Sequence, residues 1–147
     1  MSVTERTDFI IGEEATLTKV VSLEDIQTFA RISQDTNPLH LDREYAESTM
    51  FKGQIAHGML VAGLISAVLG TMLPGPGAIY LNQTLQFTAP VYPGDTITAK
   101  VVVMSWDKGR GRISLKTEVF NQDVEVVVLG EAKLVMSAFL HRKPESN

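Results

Sequence analysis

The sequence predicts an α+β fold in which one curled antiparallel sheet wraps around a single long apolar helix. Three observations carry this expectation. The segment "GMLVAGLISAVLGTML", Gly58 to Leu73, is apolar on nearly every face of a helix, so it should be surrounded by protein. Four stretches that follow it are rich in β-branched and aromatic residues and are separated by turn compositions. A single strand-like segment precedes the helical part, so the order is strand, helices, then strands.

The elements follow in order. Ala15 to Val21 alternate polar and apolar residues and read as a first strand. "SLEDIQTFARISQ" reads as a helix ending near Gln34, with Ser22 as its cap and Asp25 as the partner in a capping box. Leu23, Ile26, Phe29 and Ala30 give it one apolar stripe. "DTNPLHLD", Asp35 to Asp42, reads as a loop, because Pro38 pushes Asn37 out of helical geometry. A short helix covers Arg43 to Ser48, and "MFKGQIAHG" is loop. In the long helix Gly63 and Gly70 cost roughly 1 kcal/mol each, which makes sense if something packs close to the backbone. "PGPG" stops that helix. "AIYLNQTLQF", "DTITAKVVVMSW", "GRISLKTEVF" and "VEVVVLGEAKLVMSAFL" then form a meander of strands. A curved antiparallel sheet around a central helix is the hotdog architecture. Its open edge favours the pairing of two copies, a homodimer or a dimer of dimers.

Composition bounds the function. The chain of 147 residues suits one domain, residues 1–147, with a polar tail from Arg142 to Asn147 expected to fray. A net charge of −4 and no basic cluster argue against a nucleic-acid partner. The absence of cysteine excludes disulfides, thiolate metal sites and cysteine nucleophiles. Three histidines without ligand spacing argue against a metal site. The apolar segment is shorter than the roughly 20 residues of a membrane span, and the N-terminus lacks a signal-peptide core. The expectation is a soluble cytoplasmic protein with no membrane partner. No phosphate-binding glycine motif and no G-x-S-x-G elbow is present.

The chemistry concentrates in the loop. Asp35 can accept a proton, and His40 titrates near neutrality and can give or take one. Together they could hold one water, with Asn37 fixing its position. At the start of the long helix the N–H groups are unpaired, and Gly58 would let an acyl oxygen approach its N–H closely. A base, an acid and an oxyanion donor suit the addition of water to a double bond conjugated with a carbonyl, or its removal. From the residues alone, plainer readings stay open. Asp35 serves equally as a turn or cap residue, His40 as a structural hydrogen-bonder, His57 as a helix cap and Gly58 as a packing glycine.

"DTNPLHLDREYAESTMFKGQIAHGML" resembles the signature of the MaoC-like (R)-specific enoyl-CoA hydratases, D-x-N-P-x-H-x-D followed downstream by I-x-H-G. The match falls on Asp35, Asn37, Pro38, His40, Asp42, Ile55, His57 and Gly58, and it continues through "PGPGAIYLNQTLQFTAPVYPGDTITAKVVV". The resemblance implies a hotdog homodimer that reversibly hydrates trans-2-enoyl-CoA to (R)-3-hydroxyacyl-CoA. It implies that Asp35 activates water for attack at C3, that His40 delivers the proton to C2, and that Asn37 supports the pair. The Gly58 N–H would polarise the thioester carbonyl. The acyl chain would run against the long helix, with His57, Leu60 and Gly63 as substrate-binding positions. The acyl-CoA would be substrate, with no cofactor and no metal. Gly63 stands where short-chain relatives can carry serine, and Gln54 where proline is common. Alternative expectations are a 3-hydroxyacyl-carrier-protein dehydratase using the same residues, and a non-catalytic acyl-CoA-binding module.

Overall fold

The computed structural model describes residues 2–140. The tail expected to fray, Arg142 to Asn147, lies outside them, as does His141. The chain runs β1 (Glu14–Val20), α1 (Leu23–Ser33), α2 (Pro38–Leu41), α3 (Arg43–Glu47), α4 (Gly58–Thr71), β2 (Ala78–Gln83), β3 (Gln86–Phe87), β4 (Thr96–Asp107), β5 (Arg112–Phe120) and β6 (Val126–Met136). A short 3-10 turn, Ser137–Phe139, closes the described part.

The local signals at α1 act as the residues suggest. Ser22 accepts from the Asp25 N–H, and the Asp25 carboxylate accepts from the Ser22 N–H, both at 3.0 Å. Gln34 ends the helix in the left-handed region at φ 67°. The loop reading of "DTNPLHLD" needs correction, because α2 occupies its second half. Proline is tolerated at the first helical position, where its missing N–H has no partner to lose. Asn37 completes the start by accepting the Leu39 N–H at 3.0 Å. Asp42 ends α2 and caps α3, accepting the Tyr45 N–H at 3.0 Å.

The sheet is antiparallel with strand order β1-β4-β5-β6-β2, and β3 pairs with β6. Strands β4, β5 and β6 form the expected meander, but β2 joins beside β6 at the far edge rather than beside β4. The architecture is α+β and hotdog-like, yet the curled sheet around one long central helix is not what forms. The strand path is open, with β1 and β2 at opposite ends and no pairing between them. The helical part is shared among four helices, of which α4, at 14 residues, is one. That helix packs chiefly against β4. Val61, Ile65, Val68 and Leu69 are buried, whereas Met59, Gly63, Ser66 and Gly70 make an exposed stripe. The physical reason is in the side chains. Glycine and serine carry no apolar surface worth burying, so the helix commits one face to the sheet rather than all faces to an enclosure.

The core lies between α4 and the inner face of the sheet, where Ala99, Val101, Leu115 and Val119 alternate with outward residues. Full burial of a residue such as Ile65 contributes about 1.5–3 kcal/mol. The consequence for function is positional. One end of α4 begins beside the loop that carries Asp35 and His40. Among the described residues no helix is long and apolar enough to cross a membrane.

Candidate active site

The site is assembled from three segments that meet at the first turn of α4. Asp35 lies between α1 and α2, exposed, with its Oδ1 accepting the Asn37 N–H at 3.2 Å. His40 lies on α2 and is buried. Its Nδ1 stands 2.7 Å from the Ile55 carbonyl oxygen, which can only accept, so Nδ1 carries the hydrogen. The His40 Nε2 is thereby left for the cavity and makes no hydrogen bond within the described chain. Gln54 donates from Nε2 to the His40 carbonyl oxygen at 2.9 Å, so this departure from proline holds the histidine's backbone.

His57 occupies the N-cap position of α4, as read, but its side chain makes no cap hydrogen bond. Its Nε2 donates to the Asp35 carbonyl oxygen at 2.9 Å. The ring stacks on His40 with centroids 3.8 Å apart at 27°, and Phe29 of α1 tilts against it at 4.9 Å. The His57 Nδ1 is sealed from solvent without a partner. An unsatisfied buried acceptor of this kind costs about 1–3 kcal/mol. Burial holds the His57 imidazole below its ordinary value. The hydrogen bond to Asp35 opposes that shift and the neighbouring His40 adds to it.

The Gly58 N–H makes no hydrogen bond within the described chain and is the first of the free donors of α4. The space where a Cβ would stand on Gly58 is filled by the Phe87 ring, whose Cε1 would lie 2.6 Å from it. The close-packing reading of Gly58 is thus met by an aromatic neighbour, whose identity the sequence did not disclose. Asp35, His40, His57 and Gly58 all border one cavity of about 540 Å³. Met50, Phe51, Phe87 and the segment 88–91 supply its apolar walls. Ala89, Pro90 and Val91 were missed because "APVYPG" reads in sequence only as a turn, Met50 and Phe51 because "MFKGQIAHG" reads as loop, and Phe87 because it reads as a strand residue.

Asn37 does not border this cavity; its side chain starts α2 and so sets the place of His40. Gly63 and Leu60 also lie outside the lining. Leu60 borders an apolar cavity of about 250 Å³ with Phe29 and Ile97, and Gly63 lies between that cavity and a groove against β2. The loop and helix start are brought together as expected; the two helix positions belong to neighbouring space.

Donor atoms of Asp35, His40 and His57 lie within 4.8 Å of one another, a spacing at which a metal ion could be held. The bonding argues for a water instead. The His57 Nε2 is engaged and its Nδ1 sealed, so only the Asp35 carboxylate and the His40 Nε2 remain open. A metal would need a third protein ligand.

An open carboxylate, an open imidazole nitrogen and a free helix-start N–H on one apolar cavity define an acid–base site on a hotdog-like fold. The chain belongs to the MaoC-like family, whose domain model matches residues 9–126. It is 50% identical over 127 residues to an (R)-specific enoyl-CoA hydratase of Rhodospirillum rubrum, covering 86% of this chain and 88% of that protein. An unliganded R-hydratase of Pseudomonas aeruginosa superposes with a TM-score of 0.83 at 46% identity, over 87% of this chain and 82% of that one. A mitochondrial 3-hydroxyacyl-[acyl-carrier-protein] dehydratase of Arabidopsis thaliana is 36% identical over 92% of this chain and 82% of its own length.

Proposed function

We propose that the protein is an (R)-specific enoyl-CoA hydratase, a hydro-lyase that reversibly adds water to trans-2-enoyl-CoA and gives (R)-3-hydroxyacyl-CoA. The observation that carries this reading is that the Asp35 carboxylate and the His40 Nε2 both stand open on one cavity beside the free Gly58 N–H. The Asp35 carboxylate takes a proton from water, and the water oxygen bonds to C3. The electron pair of the double bond moves towards the thioester, and the Gly58 N–H steadies the resulting oxyanion. His40, as the imidazolium, gives its Nε2 proton to C2 while Nδ1–H stays on the Ile55 carbonyl. The proton left on Asp35 returns to His40 through solvent, which closes the cycle. Asn37 holds the start of α2. Leu60 and Gly63 border the neighbouring apolar space, into which an acyl tail would have to extend from the site cavity. The acyl-CoA is substrate, and the steps call on no cofactor or metal.

The similarity to the Arabidopsis protein favours a second reading, dehydration of a 3-hydroxyacyl group on a carrier protein by the same residues. The exposed stripe of α4 and the apolar β2 edge, with Ile79, Tyr80 and Leu81 exposed, support a homodimer built side by side. One experiment tests these readings together. Crotonyl-CoA hydration is followed by loss of enoyl absorbance, with the product coupled to enantiomer-specific 3-hydroxyacyl-CoA dehydrogenases. The expected result is rapid loss and an (R) product. Turnover confined to carrier-protein thioesters would establish the dehydratase. Binding without turnover of any thioester would establish a non-catalytic module. Light scattering on the same sample is expected to give twice the mass of the chain; a monomer would refute the pairing.

A further inference from the structure

His57 touches each part of the site, yet the reaction proposed above uses none of its atoms. Its Nε2–H reaches the Asp35 carbonyl oxygen at 2.9 Å, which fixes the backbone that carries the base. Its ring lies on the His40 ring at 3.8 Å, which fixes the acid. Its own peptide leads into Gly58, the oxyanion donor. Phe29 backs the ring from α1 at 4.9 Å, so the imidazole is wedged rather than free to turn. Neither nitrogen is offered to the cavity, since Nε2 is engaged and Nδ1 is sealed.

We infer that His57 is a positioning residue, which ties the Asp35 loop and the His40 ring to the first turn of α4 so that base, acid and oxyanion donor keep one spacing. The inference rests on the hydratase reading. The residue type follows from the two contacts. Phenylalanine offers a face to stack but no donor, and glutamine offers a donor of similar reach but no face. Histidine supplies both, at the cost of one nitrogen left unpaired. Donation to a carbonyl also fixes the tautomer, with hydrogen on Nε2 and none on Nδ1.

The test uses His57→Gln, His57→Phe and His57→Leu in the full chain. A displacement of about 1 Å in a reacting group costs on the order of 100-fold. His57→Leu, which loses both contacts, is expected to lower kcat by about that factor with KM little changed. His57→Gln and His57→Phe, each keeping one contact, are expected to fall between it and wild type. A leucine variant with wild-type kcat would overturn the inference. So would a rise in KM at constant kcat, which would make His57 a substrate contact, or equal losses in all three variants. Should the leucine variant fail to fold, the glutamine and phenylalanine variants still decide the matter. An imidazole nitrogen-15 spectrum of the wild type gives a reading independent of turnover. The expected form at neutral pH carries its hydrogen on Nε2 and none on Nδ1. A ring protonated at Nδ1 would break the tether. A wild type that hydrates no enoyl-CoA would defeat the hydratase reading and leave this one to the spectrum.

Discussion

The two ends of the molecule treat their polar groups in opposite ways. At the far end the N-terminal segment folds back over β4, where the Gly12 N–H donates to the Val103 carbonyl oxygen, and its charged side chains find partners. Phe9 is buried edge-on against Trp106, with centroids at 4.9 Å, and Trp106 meets Phe139 in the same manner at 5.6 Å. The Trp106 Nε1–H donates to Asp8 at 2.9 Å, and Lys108 lies 3.5 Å from the same carboxylate. Arg6 covers the Phe9 ring at 4.6 Å and donates to Glu13 at 3.0 Å. The Trp106 hydrogen bond holds the Asp8 carboxyl below its ordinary value, and Arg6 does the same for Glu13. At the end that holds Asp35 and His40 the comparable groups are left open. Among the described residues the Asp35 carboxylate accepts one loop N–H, at Oδ1, and the His40 Nε2 makes no hydrogen bond. The difference teaches which end spends its bonds on holding the fold and which leaves them unspent.

Three perturbations would break or sharpen that contrast. The largest effect is expected at Asp35→Asn. The amide cannot take a proton from water, so turnover should fall by roughly 10²–10⁴-fold. The melting temperature should stay near that of wild type, because the exposed carboxylate supports little of the fold; single-turnover kinetics and a thermal melt check both. A variant that stays active would place the base elsewhere. Next comes Phe9→Ala at the far end. Removing a buried ring costs about 3–5 kcal/mol of stability, while kcat below the melting transition should be unchanged. Denaturant unfolding together with the hydration assay reads the two quantities. A loss of kcat in the folded variant would show that the two ends are coupled.

The smallest effect concerns pH. Burial lowers the folded-state pKa of His57 from its ordinary 6.5. Above that value the imidazole is neutral in both folded and unfolded chains and contributes no pH dependence. As pH falls through about 6.5 the unfolded chain binds a proton that the folded protein does not, so stability declines until the folded pKa is reached. Melts between neutral and mildly acid pH should therefore slope less steeply for His57→Phe than for wild type. Parallel slopes would mean that His57 charges as easily inside the protein as outside it.

Much of this was legible in the sequence, for identifiable reasons. The capping box at Ser22 and Asp25, the end of α1 at Gln34 and the start of α4 at Gly58 depend on nearby residues, and they form as their chemistry suggests. The meeting of Asp35 and His40 with the His57–Gly58 step was legible through the resemblance, since the motif spans both segments. Contacts between distant segments were not. Pro38 keeps Asn37 out of helical geometry as read, but the residues from Pro38 on were read as loop, whereas they open α2 once Asn37 supplies the cap. The open sheet depends on where β2 pairs, and neither β-propensity nor turn composition specifies a partner strand. The role of the His57 ring depends on Phe29, His40 and the Asp35 carbonyl converging from three segments, which no local pattern records.

The contact between Gly58 and Phe87 has a consequence for how such a chain can change over generations. A methyl group at position 58 would enter the volume of the ring, so a mutation there is acceptable only after, or together with, a smaller or displaced side chain at position 87. The reverse order is permissive, because shrinking residue 87 first leaves glycine unharmed. The path through sequence space is therefore directional. The aromatic ring must move before residue 58 can vary, and for as long as it keeps its place the helix start stays a glycine.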